Sequence, residues 1–428
     1  MADQRPISPF ETKFFDTDTK FGSVPTGAMP LFIGSTVHGT LDAGLLRRVL
    51  GDLAAAHPSL RSRVATDAEG TSYLRPDDGF RPALDEMVGG EAEYLKLVNG
   101  PREWRGGLFR AYLLRDTDRD QLVVVIHHGI CDGRSAFALL DELWRRYTAA
   151  IAGSPLRQTN SVQQLPEAID TQLASVVTDA EVTAWLDEIR AAVATMGPES
   201  APRRLPEDGV GDDPLGRFAL QRIELDAKET AVFVNAARKY ELSVNSLLTG
   251  AALIAVRSQL EPGSGPLPLL CGYAVDLRSQ LNPQLPVDLM LNCASGAGTL
   301  AVVAVDANPA DVGRLVAAAM RAVLDQGEPA KVLLASNRVL DDVMAAVLSG
   351  QPTIAMSNVG RLPAHSMPEG IRLIRDDVYA MGPGMPPKFT VFTVGDRMTI
   401  QVEYDTAHHS RAQMGKVGLA LIEQIRRT

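Results

Sequence analysis

Cysteine is nearly missing from this chain: Cys131, Cys271 and Cys293 are three among 428 residues. They have no CxxC spacing and cannot form a fully paired framework, which fits a reducing compartment and argues against structural zinc. An excess of positive charge is missing as well. Lys and Arg number 42 against 52 Asp and Glu, for a formal net charge of -10. Phosphate binding needs clustered basic residues that displace counterions, so a nucleic-acid surface is not expected. A local basic patch still leaves room for an acidic carrier protein to dock. No apolar run approaches the ~20 residues that span a bilayer, and Met1-Ala2-Asp3-Gln4-Arg5-Pro6 lacks the charged-then-apolar order of a signal peptide. The expectation is a cytoplasmic protein with no transmembrane association. Also absent are a GxSxG elbow, a Walker A loop, HExxH and a dinucleotide fingerprint in its proper context, which leaves hydrolase, phosphoryl-transfer, zincin and hydride-transfer readings unsupported.

What is present has the balance of a soluble globular enzyme, with 45% hydrophobic and 22% charged residues, 36 glycines and 27 prolines. The length suggests two domains of roughly 100–200 residues each. Leu31 to Gly39 reads as a strand, and Asp42 caps a helix carrying Leu45, Val49 and Leu53 until His57-Pro58 stops it. Leu122 to Ile126 is a β-branched run typical of a strand buried on both faces. Past Gly133, Ser135 is expected to cap a helix whose Leu140, Leu143, Trp144 and Tyr147 share one face.

Two polar stretches, Gly153 to Pro166 and Gly197 to Gly216, flank a helix with a Thr178-x-x-Glu181 capping box, and the linker is placed at 166–216. The domains are then 1–165 and 217–428. In the second half, Asp226-x-x-Glu229 and Ser243 open helices and Leu267 to Ala274 reads as a buried strand. Gly395-Asp396 suits a II′ hairpin, and Met414, Val417, Leu421 and Ile425 mark a terminal helix.

The most informative segment is His127-His128-Gly129-Ile130-Cys131-Asp132-Gly133, an HHxxxDG sequence between that buried strand and that amphipathic helix. Imidazole titrates near neutral pH, so a positioned histidine takes a proton from a hydroxyl or amine without extreme tuning. At a strand end, His128 can face a cavity while His127 points to the opposite side. The bland alternative is a core histidine satisfied by backbone carbonyls, but the joint arrangement with Asp and Gly favours function. Asp132 either orients the imidazole or forms a buried ion pair that holds the loop. The second is favoured, because four residues is a short reach back to His128 and Arg278 offers a bidentate partner. A solvated surface Arg278 is its plain alternative. Gly133 offers a positive φ, the absence of a side chain where substrate passes, or a simple turn.

Other candidates carry less. Cys131 as a thiol nucleophile is disfavoured, since nothing specifies a thiolate environment. His408-His409 has no following Asp-Gly and reads as the polar end of a strand before Ser410 caps the last helix. Ser357-Asn358-Val359-Gly360 places a hydroxyl and an amide where they either stabilise an oxyanion or close a turn.

Taken with His57-Pro58-Ser59-Leu60-Arg61-Ser62-Arg63, Leu242-Ser243-Val244-Asn245, Val275-Asp276-Leu277-Arg278 and Ser357-Asn358-Val359-Gly360, the HHxxxDG segment resembles the CoA-dependent acyltransferase superfamily. The superfamily includes chloramphenicol acetyltransferase and nonribosomal condensation domains, and the chain is most similar to polyketide-associated, phthiocerol dimycocerosyl transferase-like acyltransferases. The DFGWG segment of condensation domains is not evident, which favours ester over peptide-bond formation. The resemblance implies an α/β fold of two chloramphenicol-acetyltransferase-like domains in a V, with His128 in a central tunnel open at both faces and a crossover segment around 349–388.

It further implies His128 as general base and His127, Asp132, Gly133 and Arg278 as motif or structural residues. Ser357 or Asn358 would contact the oxyanion or substrate. No permanently bound cofactor and no metal are implied. The cosubstrate would be acyl-CoA or a phosphopantetheine thioester on an acyl carrier protein, and the acceptor a small hydroxylated molecule. The leading reading is O-acyl transfer in natural-product biosynthesis. Its alternatives are N-acyl transfer or condensation forming an amide, and a catalytically silent module that binds a carrier protein or metabolite.

Overall fold

Alternating apolar strands and one-sided helices give a mixed α/β architecture, seen in a computed structural model that describes residues 4–101, 103–154, 164–261 and 265–428. Residues 155–163, within the first polar stretch, lie outside the described set. Two sheets organise the chain. The first has the strand order Arg372–Tyr379, Pro30–His38, Arg119–His127, Phe109–Arg115, Leu84–Val88. The second runs Phe218–Leu225, Arg397–Asp405, Lys388–Val394, Ile354–Leu362, Leu267–Asp276, Ala294–Val303.

The strand Arg119–His127 is buried along Leu122 to Ile126 on both faces, as its composition suggested, yet both of its neighbours run antiparallel. Helices Ala43–Ala56 and Gly133–Ile151 contribute Leu46, Val49, Leu50, Leu53, Leu140, Leu143 and Trp144 to the same core. Burying a side chain of this size contributes about 1.5–3 kcal/mol. In the second half, the helix Val244–Arg257 is buried on every side from Leu247 to Val256 and shares its core with Met414, Val417, Leu421 and Ile425 of the terminal helix Arg411–Arg427. The Gly395-Asp396 turn closes Val394 opposite Arg397, with Gly395 at φ +63.

Residues 166–216 include two helices, Ile169–Leu173 and Asp179–Thr195. The second is capped by reciprocal Thr178 and Glu181 bonds, and its Val182, Trp185 and Leu186 pack with Ala335 and Met344.

Strand Arg372–Tyr379, from the second half of the chain, is hydrogen-bonded into the first sheet beside Pro30–His38. Polar groups fix it there. Asp377 meets Arg222 Nε at 2.5 Å and Arg375 Nε at 3.0 Å. His365 lies between Asp141 of the helix Gly133–Ile151, at 3.3 Å, and Asp376, at 3.2 Å. Burial alone would lower the His365 pKa, but the hydrogen bonds to Asp141 and Asp376 and their charges outweigh it and raise it to about 9. A raised histidine pKa stabilises the fold fully below the unfolded value of about 6.5 and loses that contribution as pH rises through about 9. Urea unfolding is therefore expected to show stability falling by up to about 3 kcal/mol between pH 6 and pH 9.5, with the drop reduced in His365→Gln.

Candidate active site

The strand Arg119–His127 delivers His127 as its last residue and His128 as the first residue of a single 3-10 turn, His128–Ile130. Their side chains occupy different surroundings. His127 is buried, stacked on Phe15 with ring centroids 4.4 Å apart and met edge-on by Trp104 at 4.7 Å. Its Nδ1 accepts the Gly129 N–H at 3.0 Å, and burial, with His128 alongside, pushes its pKa down to about 3. It is a neutral, packed imidazole that shapes the turn.

His128 is half-buried and held on three sides. Its N–H donates to the Met29 carbonyl at 2.9 Å, and its own carbonyl accepts from Asn292 Nδ2 at 3.0 Å. Its Nδ1 lies 2.9 Å from the Cys131 carbonyl. A carbonyl only accepts, so Nδ1 carries the proton in the neutral ring and Nε2 keeps its lone pair. No hydrogen bond to Nε2 exists among the described residues. The Phe14 ring stands 5.6 Å away. Burial is the main force lowering the His128 pKa and the Lys388 charge adds to it, while hydrogen bonding and Asp132 oppose. The ring is thus neutral at physiological pH.

Asp132 does not touch His128. It, rather than Ser135, is the N-cap of Gly133–Ile151, with Oδ1 accepting the Ser135 N–H at 3.0 Å while Ser135 Oγ accepts the Asp132 N–H at 3.0 Å. The expected cap is displaced by three residues because the aspartate completes a reciprocal box with the serine. Oδ2 accepts from Arg278 Nη1 at 2.7 Å and from the Cys293 N–H at 2.9 Å. Burial raises the Asp132 pKa, but Arg278 and the donated hydrogen bonds outweigh it and leave the carboxyl below its usual range. Arg278 is also buried and binds Asp276 Oδ1 at 3.0 Å and the Leu291 carbonyl at 3.1 Å.

Gly133 has no positive φ, so backbone strain is not its reason. A Cβ there would sit 3.4 Å from Val359 Cγ2, an ordinary contact. Val359 thereby meets the start of the motif helix, with Ser357 and Asn358 on the same strand. Asn358 donates to Asn245 Oδ1 at 3.1 Å and accepts from the Gly360 N–H at 2.9 Å, across a bulge where Gly360 takes φ +93. The Ser357 hydroxyl has no hydrogen-bond partner among the described residues. Cys131 is fully buried, and burial followed by the Asp132 charge pushes its thiol well above the usual range, against a thiolate nucleophile. His408 and His409 follow the strand Arg397–Asp405 and line a separate cleft of about 600 Å³ with Arg203, Gln351 and Gly384.

Several residues at the site carried no signal in the sequence: Met29, whose carbonyl holds the His128 N–H; Asn292, whose amide holds the His128 carbonyl; and Phe14, whose ring faces the imidazole. Among the described residues, no group of three or more His, Cys, Asp or Glu is placed to hold a metal ion, and no helix is long and apolar enough to cross a membrane. Arg278→Met strands the Asp132 carboxylate in the interior and is expected to cost about 3–5 kcal/mol in urea unfolding. Asp132→Asn combined with Arg278→Met should cost less than the sum of the single changes.

Residues 214–403 match the family described as phthiocerol/phthiodiolone dimycocerosyl transferase C-terminus. The phthiocerol/phthiodiolone dimycocerosyl transferase of Mycobacterium ulcerans (strain Agy99) is 26% identical over 79% of this chain and 78% of its own length. Polyketide synthase associated protein 5 from Mycobacterium tuberculosis superposes with a TM-score of 0.70 at 19% identity, covering 98% of this chain and 96% of that one. The trichothecene 15-O-acetyltransferase of Fusarium sporotrichioides gives 0.73 at 13% identity, covering 99% and 95%. The expected resemblance is borne out: the chain is similar to phthiocerol dimycocerosyl transferases, which are acyltransferases, and has an α/β fold like that of these structures and of the first condensation domain of the CDA synthetase, with a TM-score of 0.68 at 15% identity.

Proposed function

We propose that the chain is an O-acyltransferase that moves an acyl group from a CoA or carrier-protein thioester to a hydroxyl of a polyketide-like natural product or lipid, with His128 as general base. The observation that carries the proposal is the Nδ1 contact with the Cys131 carbonyl at 2.9 Å, which leaves Nε2 as a lone pair without a partner among the described residues. The phthiocerol acylation named for the relative supports a hydroxylated lipid acceptor, and the O-acetyltransferase likeness supports the fold alone.

In this mechanism Nε2 takes the acceptor hydroxyl proton as the oxygen attacks the thioester carbonyl. The resulting imidazolium returns the proton to the departing thiolate, so the ring ends the cycle neutral and no acyl-enzyme forms. Asp132 with Arg278 holds the turn, Gly133 keeps the passage to the base open, and Ser357 or Asn358 donates to the developing oxyanion. Under the same reading the chain divides at 1–165, 166–216 and 217–428, crosses over around 349–388, and admits donor and acceptor from opposite faces of a tunnel between two domains in a V.

His128→Ala should lower acyl transfer by at least about 10²-fold while circular dichroism and melting temperature stay near those of the parent. Intact-mass analysis of products from an acyl-CoA panel with hydroxylated and amine acceptors reads the bond formed. Normal turnover by His128→Ala ends the mechanism, and amide products transfer it to N-acylation. Because the base is neutral with a lowered pKa, the rate should hold steady as pH falls from 8 and drop only below the ordinary imidazole value of about 6.5.

A further inference from the structure

We propose that Asn292 is a positioning residue of this site: its side-chain amide, reaching His128 from the second half of the chain, fixes the backbone from which the imidazole is aimed. The inference rests on His128 being the base.

Asn292 is 2% exposed, and both ends of its amide are committed. Oδ1 accepts the Ala294 N–H at 3.0 Å, which ties the side chain to the first residue of the strand Ala294–Val303. Nδ2 donates to the His128 carbonyl at 3.0 Å, across 164 residues of chain. Exchanging the two ends would set oxygen against oxygen at His128 and N–H against N–H at Ala294, so the pair of bonds fixes the orientation of the amide. Among the described residues no other side chain hydrogen-bonds to His128.

His128 needs such a brace because it stands in a single 3-10 turn, where hydrogen-bond geometry is poorer than in an α-helix. The Met29 carbonyl takes the His128 N–H at 2.9 Å, and Asn292 takes the carbonyl. The peptide planes on both sides of the His128 Cα are thereby fixed, and with them the direction in which the side chain leaves the backbone. The ring adds one contact of its own, from Nδ1 to the Cys131 carbonyl in the same loop. Asn292 Nδ2 also lies 3.5 Å from Nδ1, but an amide nitrogen only donates, so it leaves the Nδ1 proton to that carbonyl. A base shifted by about 1 Å loses about 10²-fold in rate, which is the effect a freed backbone would have on Nε2.

The run that carries Asn292 is held independently of its amide. The Met290 carbonyl accepts from Ser59 Oγ at 2.9 Å and the Leu291 carbonyl from Arg278 Nη2 at 3.1 Å. The Cys293 N–H donates to Asp132 Oδ2 at 2.9 Å, and its carbonyl accepts the Leu277 N–H at 2.9 Å. Residues on either side of Asn292 therefore keep the run seated against the motif when the Asn292 side chain is changed.

The test measures acyl transfer in two variants. Asn292→Leu removes both bonds, whereas Asn292→Ser keeps a hydroxyl able to accept the Ala294 N–H but too short to reach the His128 carbonyl. In both, kcat should fall about tenfold or more, with KM for donor and acceptor unchanged. Combined with His128→Ala, either change should lower the residual rate no further, because the amide acts through the base. Equal losses in the two backgrounds, or a loss that only matches the fraction unfolded by circular dichroism, overturn the proposal and make Asn292 a structural residue. The carbon-13 signal of the His128 ring, in protein labelled at histidine and identified by its absence in His128→Ala, reads the brace without turnover. It should move and broaden in both variants, and an unmoved signal overturns the proposal. A moved signal in a protein whose His128→Ala variant still transfers acyl groups normally supports the brace and ends the reading of His128 as base.

Discussion

Asp132 and Arg278 are both withdrawn from water, and removing two such charges from solvent costs several kcal/mol for each. The cost is offset by the contacts the two groups do make, although the Arg278 Nε has no hydrogen-bond partner among the described residues. The carboxylate has the guanidinium on one oxygen with the Cys293 N–H beside it, while its other oxygen caps the motif helix. The guanidinium in turn holds Asp276 and the Leu291 carbonyl. This one pair therefore joins the loop after His128 to two segments of the second half, and the turn that carries the imidazole cannot shift without breaking it. The small apolar cluster of Phe10, Phe14, Leu277, Leu291 and Cys293 keeps water from the same junction.

The adjacent histidines show how position sets chemistry. His127, pressed between Phe15 and Trp104, spends its Nδ1 lone pair on a backbone N–H and is too deeply buried to charge. One residue later the chain turns, and His128 reverses the arrangement: its Nδ1 faces a carbonyl, which fixes the tautomer and leaves the far nitrogen as the lone pair. The same side chain type is structural in one place and basic in the next.

Much of the fold was legible because it rests on local pattern. Asp42, Thr178, Asp226, Ser243 and Ser410 cap helices as their spacing implied, since a cap bonds within three residues of itself. The cap of the motif helix was misplaced at Ser135, because aspartate and serine in this box share the bonding and either pattern fits the sequence. The position of Arg372–Tyr379 in the first sheet is of another kind. Its hydrogen-bond partner is more than three hundred residues earlier, and no local periodicity specifies which edge a strand will join.

By itself, then, the sequence determined much of the secondary structure and the residue types able to move a proton, because periodicity, caps and an HHxxxDG segment are short-range properties. Only the tertiary structure decided which nitrogen of His128 keeps its lone pair, that Asp132 faces Arg278 across 146 residues of chain, and that Asn292 holds the His128 carbonyl. The physical reason is that protonation, desolvation and ion pairing depend on distances of a few ångströms in space, and those are set by how the two halves pack.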